Sequence, residues 1–254
     1  ASNTALGMQS LFSNTTAANN TAVGFQSLRL NTTGASNTAV GKEALPNNTT
    51  GANNVGLGLG ALYANTTASN NTAVGTNSLN ANTTGASNSA LGVSSLQANT
   101  TGGSNVAIGQ DALYANTTAD NNTAIGKGSM VANTTGTSNT CIGSSSGVSV
   151  TTGDYNVCLG FDAGSHETNL VTGDKNILIG AFADVLATDS NAATAIGYDV
   201  NGAAGYTTLG EGASDIRAAH GNVTWATVSD ERVKKDITDS EAGLSFINDL
   251  RPVT

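Results

Sequence analysis

The chain has 254 residues and few charges, nine Lys and Arg against eighteen Asp and Glu, for a net charge of -9 at pH 7. Nine cations, four of them (Arg232, Lys234, Lys235 and Arg251) in the last stretch, are too few to line a nucleic-acid groove, which needs Lys and Arg clustered against phosphates. With 4% aromatic residues, 31 glycines and two prolines, it also lacks the bulky side chains of a compact enzyme core.

No run approaches the eighteen or so apolar residues of a membrane span, and the first residues form neither a basic n-region nor an apolar h-region. The text begins inside a repeat, so a signal, anchor or attachment domain is expected upstream of Ala1. Gly7, Gly24, Gly41, Gly58, Gly75, Gly92, Gly109, Gly126, Gly143 and Gly160 are spaced by seventeen residues; after a three-residue insertion the register resumes at Gly180 and Gly197, with a shorter step to Gly210. Asn stands four residues before each of the first ten glycines, from Asn3 to Asn156. A branched aliphatic precedes each glycine, from Leu6 and Val23 to Leu159. Four residues after the glycine come Leu11, Leu28 and their equivalents to Leu113, then Met130; seven after it come Asn-Thr-Thr triplets from Asn14 to Asn133. Each unit reads as turn, short strand, turn, short strand.

A unit with two apolar positions cannot offset an ordering entropy of roughly 1–2 kcal/mol per residue by itself, so the units must stack. The fold expected over residues 1–210 is an all-β, parallel β-solenoid with 17-residue coils. The aliphatic before the glycine and the leucine after it are expected to form two buried columns. The asparagines should form ladders at a corner. Small strand residues such as Ala5, Ala22 and Ala39 should leave room for another backbone. About twelve coils at roughly 4.8 Å each give a rod of roughly 55–60 Å. Fixed aliphatic positions argue against a flexible linker. The absence of aspartate from the first hundred residues argues against a calcium-loaded β-helix.

The unit Asn-Thr-Ala-Val-Gly-x-x-Ser-Leu, as at Asn20 to Leu28 and Asn71 to Leu79, resembles the head repeat of YadA-like trimeric autotransporter adhesins over roughly residues 1–210. The resemblance implies a left-handed β-roll, a homotrimer and a surface role. The seventeen-residue period with its Asn-Thr-Thr corner is longer than the commonest adhesin unit. Residues 211–228 leave the repeat, hold the single tryptophan, Trp225, and read as a neck. Ser229-Asp230-Glu231-Arg232-Val233-Lys234 then resembles the opening of the intramolecular chaperone of phage tail fibres and endosialidase-type tailspikes. That family trimerises the protein ahead of it and cuts itself off. The resemblance implies that Ser229 is the nucleophile and Lys234 the base that takes its proton, a Ser-Lys dyad. Thr238 and Glu241 form a capping box, and Leu244, Ile247 and Leu250 mark a short helix that stops before Pro252. Residues 229–254 are thus expected to begin a longer, α-containing chaperone domain.

Other chemistry-bearing residues have plainer readings. Cys141 and Cys158 lie one coil apart at alanine positions and are expected to be buried free thiols rather than a disulfide. His166 and His220 lack ligand spacing and are expected at the surface, with no metal or other cofactor. The eight Asn-x-Thr corners match a glycosylation pattern but serve as turns. Three functions remain: a phage tail-fibre segment on a virion, a bacterial trimeric surface adhesin, and a binder of repetitive lattices such as ice through rows like Thr21, Thr38 and Thr72. The carboxyl end favours the first. The expected partners are two further copies and a host or cell-surface receptor, without nucleic acid or membrane insertion. Catalysis is expected only as a single autoproteolytic turnover at Ser229.

Overall fold

The computed structural model describes residues 2–212 and 214–221, together with the strand pairing of Ala226–Thr227. Among the described residues all regular structure is β. The strands are β1 (Thr4–Leu6), β2 (Thr21–Val23), β3 (Thr38–Val40), β4 (Val55–Leu57), β5 (Thr72–Val74), β6 (Ser89–Leu91), β7 (Val106–Ile108), β8 (Thr123–Ile125), β9 (Thr140–Ile142), β10 (Val157–Leu159), β11 (Ile177–Ile179), β12 (Asp184–Val185), β13 (Thr194–Tyr198), β14 (Asn201–Gly202), β15 (Tyr206–Glu211), β16 (Ile216–Ala219) and β17 (Ala226–Thr227). From β1 to β11, then through β13 to β15, each strand pairs in parallel with the next, giving a solenoid of about twelve turns. Register follows the repeat: Thr21 lies over Thr38, Ala22 over Ala39 and Val23 over Val40.

Burial follows the two-residue period of a strand and corrects one expectation. The aliphatic before each glycine faces outward, with Leu91 49% and Ile142 41% exposed. The middle residue of each strand is the buried one: Ala22, Ala39, Ala73, Ala90, Ala107 and Ala124 are shut inside the coil. These alanines fill the interior and do not leave a face open to another backbone. The geometric reason is a narrow cross-section. With a leucine reaching in from the opposite wall, there is room on the strand side for a methyl group and little more.

The leucine column is buried as expected, Leu28, Leu45, Leu62, Leu79, Leu96, Leu113 and Met130 being fully enclosed and Leu11 partly so. The second short strand expected around it is absent from coils one to ten, where this wall is made of turns. The leucines sit in left-handed backbone conformation, with φ 49° at Leu28 and 50° at Leu79. Such a conformation costs an L residue about 1–2 kcal/mol, which the burial of a leucine side chain, about 1.5–3 kcal/mol, offsets. The glycine column has no such freedom of residue type. Gly58 has φ 134°, and a Cβ there would lie 2.6 Å from the carbonyl oxygen of Gly75 in the next coil.

Two asparagine ladders and a column of small residues three after each glycine, such as Ser27, Ala44 and Ala61, occupy the rest of the interior. In the first, the Asn20 side-chain oxygen accepts the Asn37 backbone N–H at 2.9 Å, while Asn20 Nδ2 donates to the Gly34 carbonyl at 2.9 Å. The pattern repeats to Asn176, whose side-chain oxygen accepts the Ala193 N–H. In the second, each amide donates to the side-chain oxygen of the amide one coil earlier, as from Asn48 to Asn31 at 2.8 Å. The ladders meet at shared carbonyls, since Asn31 Nδ2 also donates to Gly34.

The interior changes after Met130. Val150 and Leu170 take over the second ladder's column, and the Asn133 side-chain oxygen, at the ladder's end, is buried without a partner. Cys141 and Cys158 enlarge the alanine column while Gly147 and Gly164 empty the leucine column. A Cβ on Gly147 would come within 2.6 Å of the Cys141 sulfur, and one on Gly164 within 3.0 Å of the Cys158 sulfur. A small second sheet, β12 with β14, appears in the last coils. β16 then turns back antiparallel on β15, with β17 beside it, at the start of the expected neck.

Asp215 lies in the turn into β16, buried, with Oδ1 unpartnered. Burial pushes its carboxyl above the ordinary range, Arg217 draws it partly back, and Asp199 adds to the rise. The folded chain therefore holds this proton more tightly than the unfolded chain. The contribution is complete below the ordinary carboxylate value near pH ~4 and is lost as pH rises through the higher folded value. Hydrogen exchange at the Ile216–Ala219 amides should accordingly be slower in acid, after correction for intrinsic rates, and Asp215→Asn should remove that difference. In the coils, Leu79→Ala should cost about 2–5 kcal/mol and Ala90→Leu about 1–3 kcal/mol in urea denaturation. An Ala90→Leu chain as stable as the parent would contradict the inward placement of the alanine column.

Candidate interaction surface

The outward face of the long sheet carries two columns. One is hydroxyl-rich, with Thr21, Thr38, Thr72, Ser89, Thr123 and Thr140; the other is aliphatic, from Leu6 to Ile196. Each strand contributes one side chain to each column because residues two apart share a face. No residue of β1 to β11 is charged. The result is a regular, uncharged strip with a rung about every 4.8 Å, bearing half-exposed Val, Leu and Ile along its length. Soluble monomers seldom present contiguous apolar surface on this scale.

The proposed dyad, Ser229 and Lys234, and the helix expected after Thr238 lie outside the described residues. Cys141 and Cys158 are brought together as register partners on β9 and β10, fully buried and without a disulfide. A hydrogen bond with Cys158 and burial push the Cys141 thiol well up. It is therefore a protonated core group and a poor nucleophile. His166 is exposed, with Nδ1 3.5 Å from Asp162 Oδ2, and His220 Nε2 lies 3.3 Å from Thr207 Oγ1. The two histidines are not assembled into one site. Among the described residues no group of three or more His, Cys, Asp or Glu is arranged to hold a metal ion, and no helix is long and apolar enough to cross a membrane.

The Asn-Thr-Thr corners are more than turns. From Asn31 to Asn133 their asparagines are buried in the second ladder, so the folded coils withhold them from glycosylation. Their neighbours bind coil to coil through hydroxyls, as Thr32 Oγ1 does by donating to the Thr49 carbonyl at 3.0 Å.

A second surface feature arises from the three-residue insertion. The added residues lengthen the turn between Gly164 and Leu170, which folds over the carboxylate of Asp184. Asp184 Oδ2 accepts backbone N–H groups from His166, Glu167 and Thr168 at 2.8–3.1 Å, and from Asn169 at 3.4 Å. Asp184 occupies the leucine column one coil further on, so a carboxylate replaces an apolar side chain where unpaired backbone donors need an acceptor. The break in the seventeen-residue spacing was the only sequence signal of this loop. No protein-family model, curated protein or solved structure matches the chain.

Proposed function

We propose that the chain is a structural and receptor-binding segment of a phage tail fibre, in which three copies pack their long sheet faces around a common axis. The observation that carries this reading is the outward aliphatic column. Burying the exposed half of one such side chain contributes on the order of 1 kcal/mol. Over about twelve coils the sum, roughly 10 kcal/mol per chain, is comparable to the estimated cost of association. The hydroxyl column beside it is short and uncharged, so close approach leaves no charge unpaired. The resemblance of residues 229–254 to a self-cleaving chaperone supports a place on a virion. The resemblance of the repeats to adhesin heads supports the alternative, a bacterial trimeric surface adhesin. The outward threonine rows support a third reading, a lattice binder, but the same face cannot serve a lattice while packed in a trimer.

Light scattering at micromolar concentration separates the two trimeric readings from the lattice one. The parent chain should have the mass of a trimer, and Leu91→Asp, at a half-exposed site, should dissociate it while leaving each coil folded by circular dichroism. A parent that is monomeric at that concentration, with thermal hysteresis in ice, would replace the fibre reading by the lattice one.

Processing is tested separately, in a chain extended through a complete chaperone. The Ser229 hydroxyl adds to the Val228 carbonyl as Lys234 takes its proton; the Val228–Ser229 C–N bond then breaks as Lys234 returns the proton to the Ser229 nitrogen, and water hydrolyses the resulting ester to a Val228 carboxylate and the free Ser229 hydroxyl. A denaturing gel should show a single cut at Ser229, absent from Ser229→Ala and Lys234→Ala. Uncut parent chain after trimer assembly would remove autoproteolysis from the proposal.

A further inference from the structure

We infer that the aromatic and carboxylate cluster around the insertion loop is a binding site for an uncharged glycan. The inference rests on the receptor-binding reading and locates the receptor contact. Phe161, Phe182 and Tyr198 come from three successive coils. Their ring centroids are 5.4 Å apart from Phe161 to Phe182 and 5.6 Å from Phe182 to Tyr198, with interplanar angles of 88° and 85°. The His166 ring lies 4.4 Å from Phe182. Phe161 is 52% and Tyr198 54% exposed, so the cluster is not a core. These rings stand one or two residues after their glycines, past the threonine and aliphatic columns of the long sheet.

Polar groups lie beside the rings. Asp162 lies against His166, its Oδ2 3.5 Å from Nδ1, and Glu167, next to His166 in the loop, accepts from Asn201 Nδ2 at 3.4 Å. A sugar ring offers complementary surfaces, a C–H face that packs on aromatic carbon and hydroxyls that donate to carboxylates. Asp162 and Glu167 would repel a sialic or uronic acid, which selects a neutral sugar. The perpendicular rings touch one another edge to face, leaving no gap between them for the box that a quaternary ammonium ion requires. The loop carrying His166 and Glu167 is already fixed by the four N–H groups that Asp184 accepts, so binding does not have to order it.

The test is saturation-transfer NMR on the intact chain with the methyl glycosides of glucose, galactose, mannose, rhamnose and N-acetylglucosamine, and with sialyllactose and choline as charged probes. At least one neutral glycoside should receive saturation at its ring protons. Phe161→Ala and Tyr198→Ala should each weaken its binding tenfold or more, and Glu167→Gln should weaken it less, with melting temperatures unchanged. Silence from all five glycosides, equal or exclusive binding of sialyllactose or choline, or undiminished binding in both alanine variants would overturn the site. Light scattering on the same samples separates the two proposals. A trimer that binds no glycoside overturns the site alone, and a monomer that binds one overturns the trimer alone. Dissociation by Phe161→Ala would make the rings a subunit contact and overturn the site.

Discussion

The structure depends on a buried amide that satisfies the backbone in two directions. In each coil the first-ladder asparagine accepts an N–H from the neighbouring coil and donates to a corner carbonyl, as Asn20 does with Asn37 and Gly34. A net contribution of about 1 kcal/mol per hydrogen bond is modest, but a buried amide left unpaired costs about 1–3 kcal/mol. The ladder therefore specifies register more than it adds stability, because a slip of one residue would orphan an amide in every coil. A coil with so little hydrophobic volume needs that form of specification. Its apolar interior is one leucine and one or two methyl groups, enough to exclude water from the amides but not to fix which residue faces which.

The narrow interior also determines what is displayed outside. A strand of three residues has one inward position and two outward ones. The ladders and the leucine leave that inward position only an alanine's worth of space. The larger aliphatics must then stand on the outer face, beside the threonines. The apolar strip proposed as an assembly surface is thus a consequence of packing the coil. In an isolated chain it would be exposed surface; in an assembly it supplies the burial that the interior lacks.

Much of this was legible in the sequence, and the failure is instructive. The seventeen-residue spacing gave the coils, the parallel register and the first ladder, because a strict repeat admits few stacking arrangements. The facing of the strand runs opposite to the expectation from its aliphatic column. The position before the glycine varies among Val, Leu and Ile, whereas the position two before it is Ala in most coils and otherwise Gly or Cys until Leu178. Tolerance of size marks an outer position and restriction of size an inner one, and that contrast was available. The left-handed leucines were not legible, since Leu is a poor candidate for φ near +50° and only the stacked wall determines it. Nor was the Asp184 loop, because its donors and its acceptor belong to different coils.

The departures from the repeat are physically coupled. Enlarging alanine to Cys141 and Cys158 accompanies the shrinking of leucine to Gly147 and Gly164, and Val150 and Leu170, standing where the second ladder had asparagines, restore part of the apolar bulk that the glycines remove. Replacing the second ladder by Val150 and Leu170 removes the amides that tied the corner to the adjacent coil. Once that tie is gone, the turn beyond Gly164 is free of the seventeen-residue register and can accept three more residues, with Asp184 taking up the backbone donors. In a solenoid each coil contacts only its neighbours, so these changes stay local and the long sheet continues through β11, β13 and β15 undisturbed. The uniform coils repeat one outward strip, whereas the relaxed coils bring Phe161, Phe182 and Tyr198 together at a single place. Ending the second ladder at Asn133 is what allows a rod built on repetition to carry a surface unlike that of its uniform coils.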